Sequence, residues 1–175
     1  MPYLVRQWLN CLAQYAQMSL FRSSPANLPY SLPCLLLTLL AYSLVGLILL
    51  SELRSVFSII AQIGLEVLLL SAFSLIGLRL TKKNERLLQT VSALIGVNLV
   101  ISIVSLPIMY LLPEVEPEQP IDPLVLQLNL MLLLWNLAAL SLIFKRSLEI
   151  RTLAAGFMSF NYFLLYELIL LNLFA

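Results

Sequence analysis

Apolar residues run through this chain in five long blocks, 33–50, 56–80, 87–112, 124–144 and 153–174, separated by short polar connectors. A helix needs about 20 such residues to cross the hydrocarbon core of a bilayer, and each block is close to that length. Ahead of them the pattern changes. Over residues 3–21, Leu4, Trp8, Leu12, Tyr15 and Met18 recur at steps of three or four, while Arg6, Asn10, Gln14 and Gln17 take the other side. That period predicts an amphipathic helix. With spans to follow and Trp and Tyr on the apolar side, the expected setting is the membrane interface, the helix lying flat on the bilayer.

Pro25, Pro29 and Pro33 then bar a regular helix and favour an extended elbow. Pro33 sits where the first span begins, a position at which its missing N–H costs nothing. The connectors 51–55, 81–86, 113–123 and 145–152 leave no room for a soluble domain. The pattern therefore predicts an all-α protein: residues 1–32 form the interfacial helix and elbow, and residues 33–175 an integral membrane bundle of five transmembrane helices.

Composition agrees with lipid as the main solvent. Hydrophobic residues make up 61% of 175 positions and charged residues 11%, where soluble domains carry about 25% charged; the mean hydropathy is +0.98. No cleavable signal peptide is evident, so the first span is expected to act as an uncleaved anchor. Charge placement sets the expected orientation. Arg6 and Arg22 precede the first span, Arg79, Lys82, Lys83 and Arg86 surround one connector, and Lys145, Arg146 and Arg151 surround another. The connector 113–123 holds Glu114, Glu116, Glu118 and Asp122 and no basic residue. Five crossings put all three basic regions on one side, giving a cytoplasmic N-terminus and an external C-terminus. Only Arg54 runs against the rule. A bacterial inner membrane is the expected location, and the bilayer the first partner.

Several chemistries are excluded. Without histidine there is no Ser-His-Asp arrangement and no imidazole ligand. No phosphate-cradling glycine loop, HExxH or GxSxG occurs. Cys11 and Cys34 lack CxxC context and read as unpaired thiols packing as small apolar residues. No enzyme activity, cofactor, metal or nucleic-acid partner is expected.

The candidate site lies inside the spans. Ser51, Ser55, Ser58, Gln62 and Glu66 follow steps of four, three, four and four, a polar file ending on a carboxylate near the middle of its span. Asn98 and Asn136 are the strongest polar positions on two other spans. An ionisable group at that depth is costly and calls for an explanation. Ser58, Gln62, Glu66, Asn98 and Asn136 form the candidate intramembrane polar site. Three readings stay open: a packing device in which Glu66 is protonated and donates to an Asn or Gln such as Asn136 or Asn98, a water-filled path with a proton or cation site, and a contact with a partner subunit or second copy. Glu167 lies in the outer part of the last span, at about the depth of Arg54, and an Arg54–Glu167 ion pair would tie the second block to the fifth.

The plan resembles the Yip1-domain family, in the stretch FRSSPANLPYS before the first span and in the helix TVSALIGVNLVISIVSLP, over a region from about Phe21 onward. The resemblance implies an integral membrane protein that organises other membrane components rather than a catalyst. The DLYGP-type motif of eukaryotic members is absent, and no functional residue is carried over. The expected function is that of a scaffold, assembly factor or accessory subunit of a membrane complex; a small carrier or channel component is the alternative.

Overall fold

Long runs of Leu, Ile and Ala without interior breaks form helices because each backbone polar group finds its partner within the segment, the one economical solution in lipid. In the computed structural model, which describes residues 2–50, 55–111 and 123–174, these runs make helix α2 (Leu32–Leu50), α3 (Val56–Leu80), α4 (Leu87–Leu111), α5 (Pro123–Leu148) and α6 (Thr152–Phe174). Helix α1 (Pro2–Ser19) precedes them, and no strand occurs among the described residues. The fold is thus all-α, with five helices long and apolar enough to cross a membrane. Helix α5 continues past the expected boundary at residue 144, so Lys145 and Arg146 form its last turn. Cations there complement the carbonyl end of the helix dipole.

Helix α4 is the centre of the bundle. Over an 18-residue apolar stretch of it 56% of residues are buried, against 17–28% for the corresponding stretches of the other four. Every residue from Thr90 to Leu99 is buried, and α4 packs on α1, α2, α3 and α5. Helix α6 packs mainly on α5 and α3 among the described residues. Sequence explains the choice: α4 carries no charged residue and has small side chains, Ser92, Ala93 and Gly96, on its inner turns. Small residues let helix backbones approach closely in lipid.

The helix ends beside the basic residues are closed by a shared device. Phe21, Lys82 and Glu149 all have positive φ, at 65°, 58° and 55°. At the first two, the chain makes a Schellman ending: Arg22 N–H reaches the Gln17 carbonyl and Phe21 N–H that of Met18, and Lys83 and Lys82 do the same to Leu78 and Arg79. Each reversal returns the chain to the same end of the bundle. The three basic regions meet there.

Candidate functional site

The carboxyl group of Glu66 is held from two sides. Tyr42 of α2 donates its hydroxyl to Oε2, and the Asn98 amide of α4 donates to Oε1 at 2.7 Å. Asn136 of α5 then donates to the Asn98 oxygen at 3.0 Å. One turn away on α3, Gln62 donates to the Tyr166 hydroxyl of α6 at 3.0 Å. Tyr166 stacks on Tyr162, which meets Phe73 of α3 edge-on, with centroids 6.2 and 5.9 Å apart. These polar contacts join all five long helices, with α3 at the hub. Every member hydrogen-bonds within the chain, as buried polar groups require.

The structure brings together four of the five candidate polar residues. Gln62, Glu66, Asn98 and Asn136 belong to the network; Ser58 does not. Ser58 lies on the same face of α3 but serves the helix start, where its N–H donates to the Ser55 hydroxyl at 3.3 Å and the two hydroxyls lie 2.9 Å apart. The hydrogen bonding of Glu66 also differs in direction from the expected one: it accepts at both oxygens, with Asn98 donating. Sequence reasoning missed Tyr42, because a tyrosine in an apolar run reads as packing. Its signal was the hydroxyl, which needs a partner at that depth. Arg54, Ser51 and the acidic connector lie outside the described residues, so the Arg54–Glu167 pair does too; Glu167 itself is half-buried on α6.

A second constellation was not expected. The face of α1 built on Trp8, Tyr15 and Met18 is covered by the bundle instead of lipid. Tyr15 is fully buried, and its hydroxyl bonds Ser92 of α4 at 2.7 Å and Thr38 of α2 at 3.3 Å. Thr38 gives its proton to the Cys34 carbonyl at 2.8 Å, so its two lone pairs accept from Tyr15 and from the Trp8 indole, 3.3 Å away. At the other end of α1, the Trp135 indole of α5 donates to the Ser19 carbonyl at 2.7 Å. Arg146 donates to the Phe21 carbonyl at 3.0 Å and to that of Ser23. Helix α1 therefore crosses the bundle from α2 over α4 to α5. A period of 3.6 reveals an apolar face but not what covers it. Leu4, Val5, Leu9 and Leu20, off the covered face or near its ends, remain exposed.

Cys11 and Cys34 are both free and buried, and the thiols touch between α1 and α2. Burial first, then the neighbouring thiol, pushes Cys11 up to about 12. It packs as a protonated, small side chain. At the basic end, Glu149 pairs with Lys83 and, at 2.8 Å, with Arg86, joining the α3–α4 and α5–α6 connectors. The hydrogen bond from Lys83, then that from Arg86, hold the Glu149 carboxyl below the usual carboxylate range.

No protein-family model matches this chain, and neither a curated protein nor a solved structure shows significant similarity to it. The fold and site define a class by physics alone: a helical bundle with five membrane-length helices, cross-linked at mid-depth by a carboxylate-centred polar network.

Proposed function

We propose that this protein is a non-enzymatic polytopic membrane protein acting as a scaffold, assembly factor or accessory subunit of a membrane complex. It sits in a bacterial inner membrane with its N-terminus in the cytoplasm and its C-terminus outside. The convergence of all three basic regions at one end of the bundle supports that orientation. The five-span plan with little extramembrane mass, which underlies the likeness to Yip1-domain proteins, is in keeping with a molecule that works through its lateral contacts.

The observation that carries this reading is the closure of the Glu66 site. Both carboxylate oxygens are bonded by side chains of neighbouring helices, which favours packing over transport. The alternative, a small carrier or channel component, draws on the partial exposure of Gln62 and Glu66. Two substitutions separate the readings. Glu66→Gln keeps an acceptor for Tyr42 or Asn98 and should leave stability within about 1 kcal/mol, near the mean of about 0.6 kcal/mol for a hydrogen bond between membrane helices. Glu66→Leu strands both donors and should cost about 1–3 kcal/mol. Unfolding in mixed micelles measures both. A transmembrane proton or cation flux in proteoliposomes that Glu66→Gln abolishes at unchanged stability would overturn the scaffold reading in favour of the carrier.

A further inference from the structure

At the basic end of the bundle, α5 and α6 border an almost wholly apolar groove of about 640 Å³, lined by Ser141, Thr152, Leu153, Gly156, Phe157 and Phe160. That volume lies within the roughly 300–1,000 Å³ typical of small-molecule sites. The floor is Gly156: a Cβ built there meets only the Ser141 hydroxyl, at 3.9 Å, so the groove is open space rather than a helix contact. Leu153 and Phe157 flank it and are 75% and 61% exposed.

Two basic residues adjoin the lining of the groove in the chain. Lys145 stands four residues beyond Ser141 on α5, hence on the same face one turn nearer the helix end. Arg151 immediately precedes Thr152, and its carbonyl accepts the first bond of α6, from Ala155 N–H at 3.1 Å. An arginine side chain has no acceptor to offer. The first N–H groups of α6, a 23-residue helix, therefore have no side-chain cap from that residue and carry the positive end of the helix dipole. Of the acidic residues in the connectors at this end, Glu85 and Glu149, the second is engaged by Lys83 and Arg86, and neither Lys145 nor Arg151 has an ion-pair partner among the described residues.

We infer that this groove is a binding site for one anionic glycerophospholipid, with an acyl chain laid over Gly156 beside Phe157 and the headgroup phosphate held by Lys145, Arg151 and the start of α6. The apolar trough alone would accept any lipid tail. The two free cations and the helix start beside it select negative charge. The site is independent of whether Glu66 packs or transports, and of which leaflet the basic end faces.

The test uses the full chain, purified and delipidated in mild detergent. Native mass spectrometry compares retention of phosphatidylglycerol and of phosphatidylcholine with the same acyl chains. Phosphatidylglycerol should be retained well above phosphatidylcholine, and Lys145→Gln and Arg151→Gln should each weaken it by about fivefold, the worth of one cation near an anionic surface. Gly156→Leu, which fills the trough, should abolish retention of both lipids, and Gly156→Ala, which fits without a clash, should reduce it. Equal retention of the two lipids would overturn the assignment, as would a Gly156→Leu variant of unchanged stability that still holds phosphatidylglycerol. If lipid is absent and Gly156→Leu instead dissociates a dimer by light scattering, the groove belongs to a second copy and the lipid site is refuted.

Discussion

The contact between Tyr15 and Gly96 makes a quantitative test of how α1 is held. A Cβ at position 96 would lie 2.4–2.5 Å from three ring atoms of Tyr15, well inside any van der Waals contact. The ring has nowhere to go, being fully buried and held by Ser92 and Thr38 through its hydroxyl. Gly96→Ala should therefore cost about 1–3 kcal/mol, the usual range for overpacking. In a Tyr15→Ala background the clash is gone, and the same change should stabilise α4 by about 0.5–1 kcal/mol, the advantage of Ala over Gly inside a helix. The coupling between the two positions is then about 1.5–4 kcal/mol, the difference of those two ranges and at the high end for residues in contact. Reversible unfolding in mixed micelles, followed by circular dichroism, gives the four stabilities of the cycle. The chain's two tryptophans report independently, because Trp8 and Trp135 are both clamps of α1; their emission should shift in Gly96→Ala. An equal cost of Gly96→Ala in both backgrounds, with unmoved tryptophan emission, would refute the wedge.

Two further outcomes are expected at the basic end. Lys82 holds a left-handed conformation at φ 58°, which costs a non-glycine residue about 1–2 kcal/mol. Lys82→Gly should therefore stabilise by about 0.5–1 kcal/mol after glycine's own entropy cost, and a lower unfolding midpoint would show that the Schellman ending is not strained. Glu149 is held below its ordinary value by Lys83 and Arg86, so its folded-state value lies under the unfolded one of about 4.3. Its contribution is fully present above the unfolded value and is lost as pH falls through the folded value. Wild type and Glu149→Gln should differ at neutral pH and converge in acid; curves that stay parallel down to pH of about 3 would contradict the pairing.

The five spans were legible because a membrane-length apolar run has few alternatives, and because Pro25, Pro29, Pro33 and the charged connectors punctuate it. Glu66, Asn98 and Asn136 were legible for a complementary reason: a polar group in such a run stands out, and its need for a partner draws it to others. Ser58 shows the limit of that argument. Helical stepping placed it on the face of Glu66 correctly, but it lies in the first turn, where its N–H is capped by the Ser55 hydroxyl and its own hydroxyl pairs with that of Ser55. Tyr42 stayed hidden because its ring conceals its hydroxyl in any apolar pattern. The docking of α1 was hidden more deeply. Its Tyr15 fits Gly96, a residue 81 positions away in the numbering, and nothing local encodes that match.

The clamps on α1 fix an order of events in biogenesis. This helix leaves the ribosome before α2, α4 and α5, yet its hydrogen-bonding partners Thr38, Ser92 and Trp135 belong to those helices. It must wait, its tyrosine and methionine without a home, until α5 has been made. A helix made before its partners thus docks only after them, and its arrival covers α4.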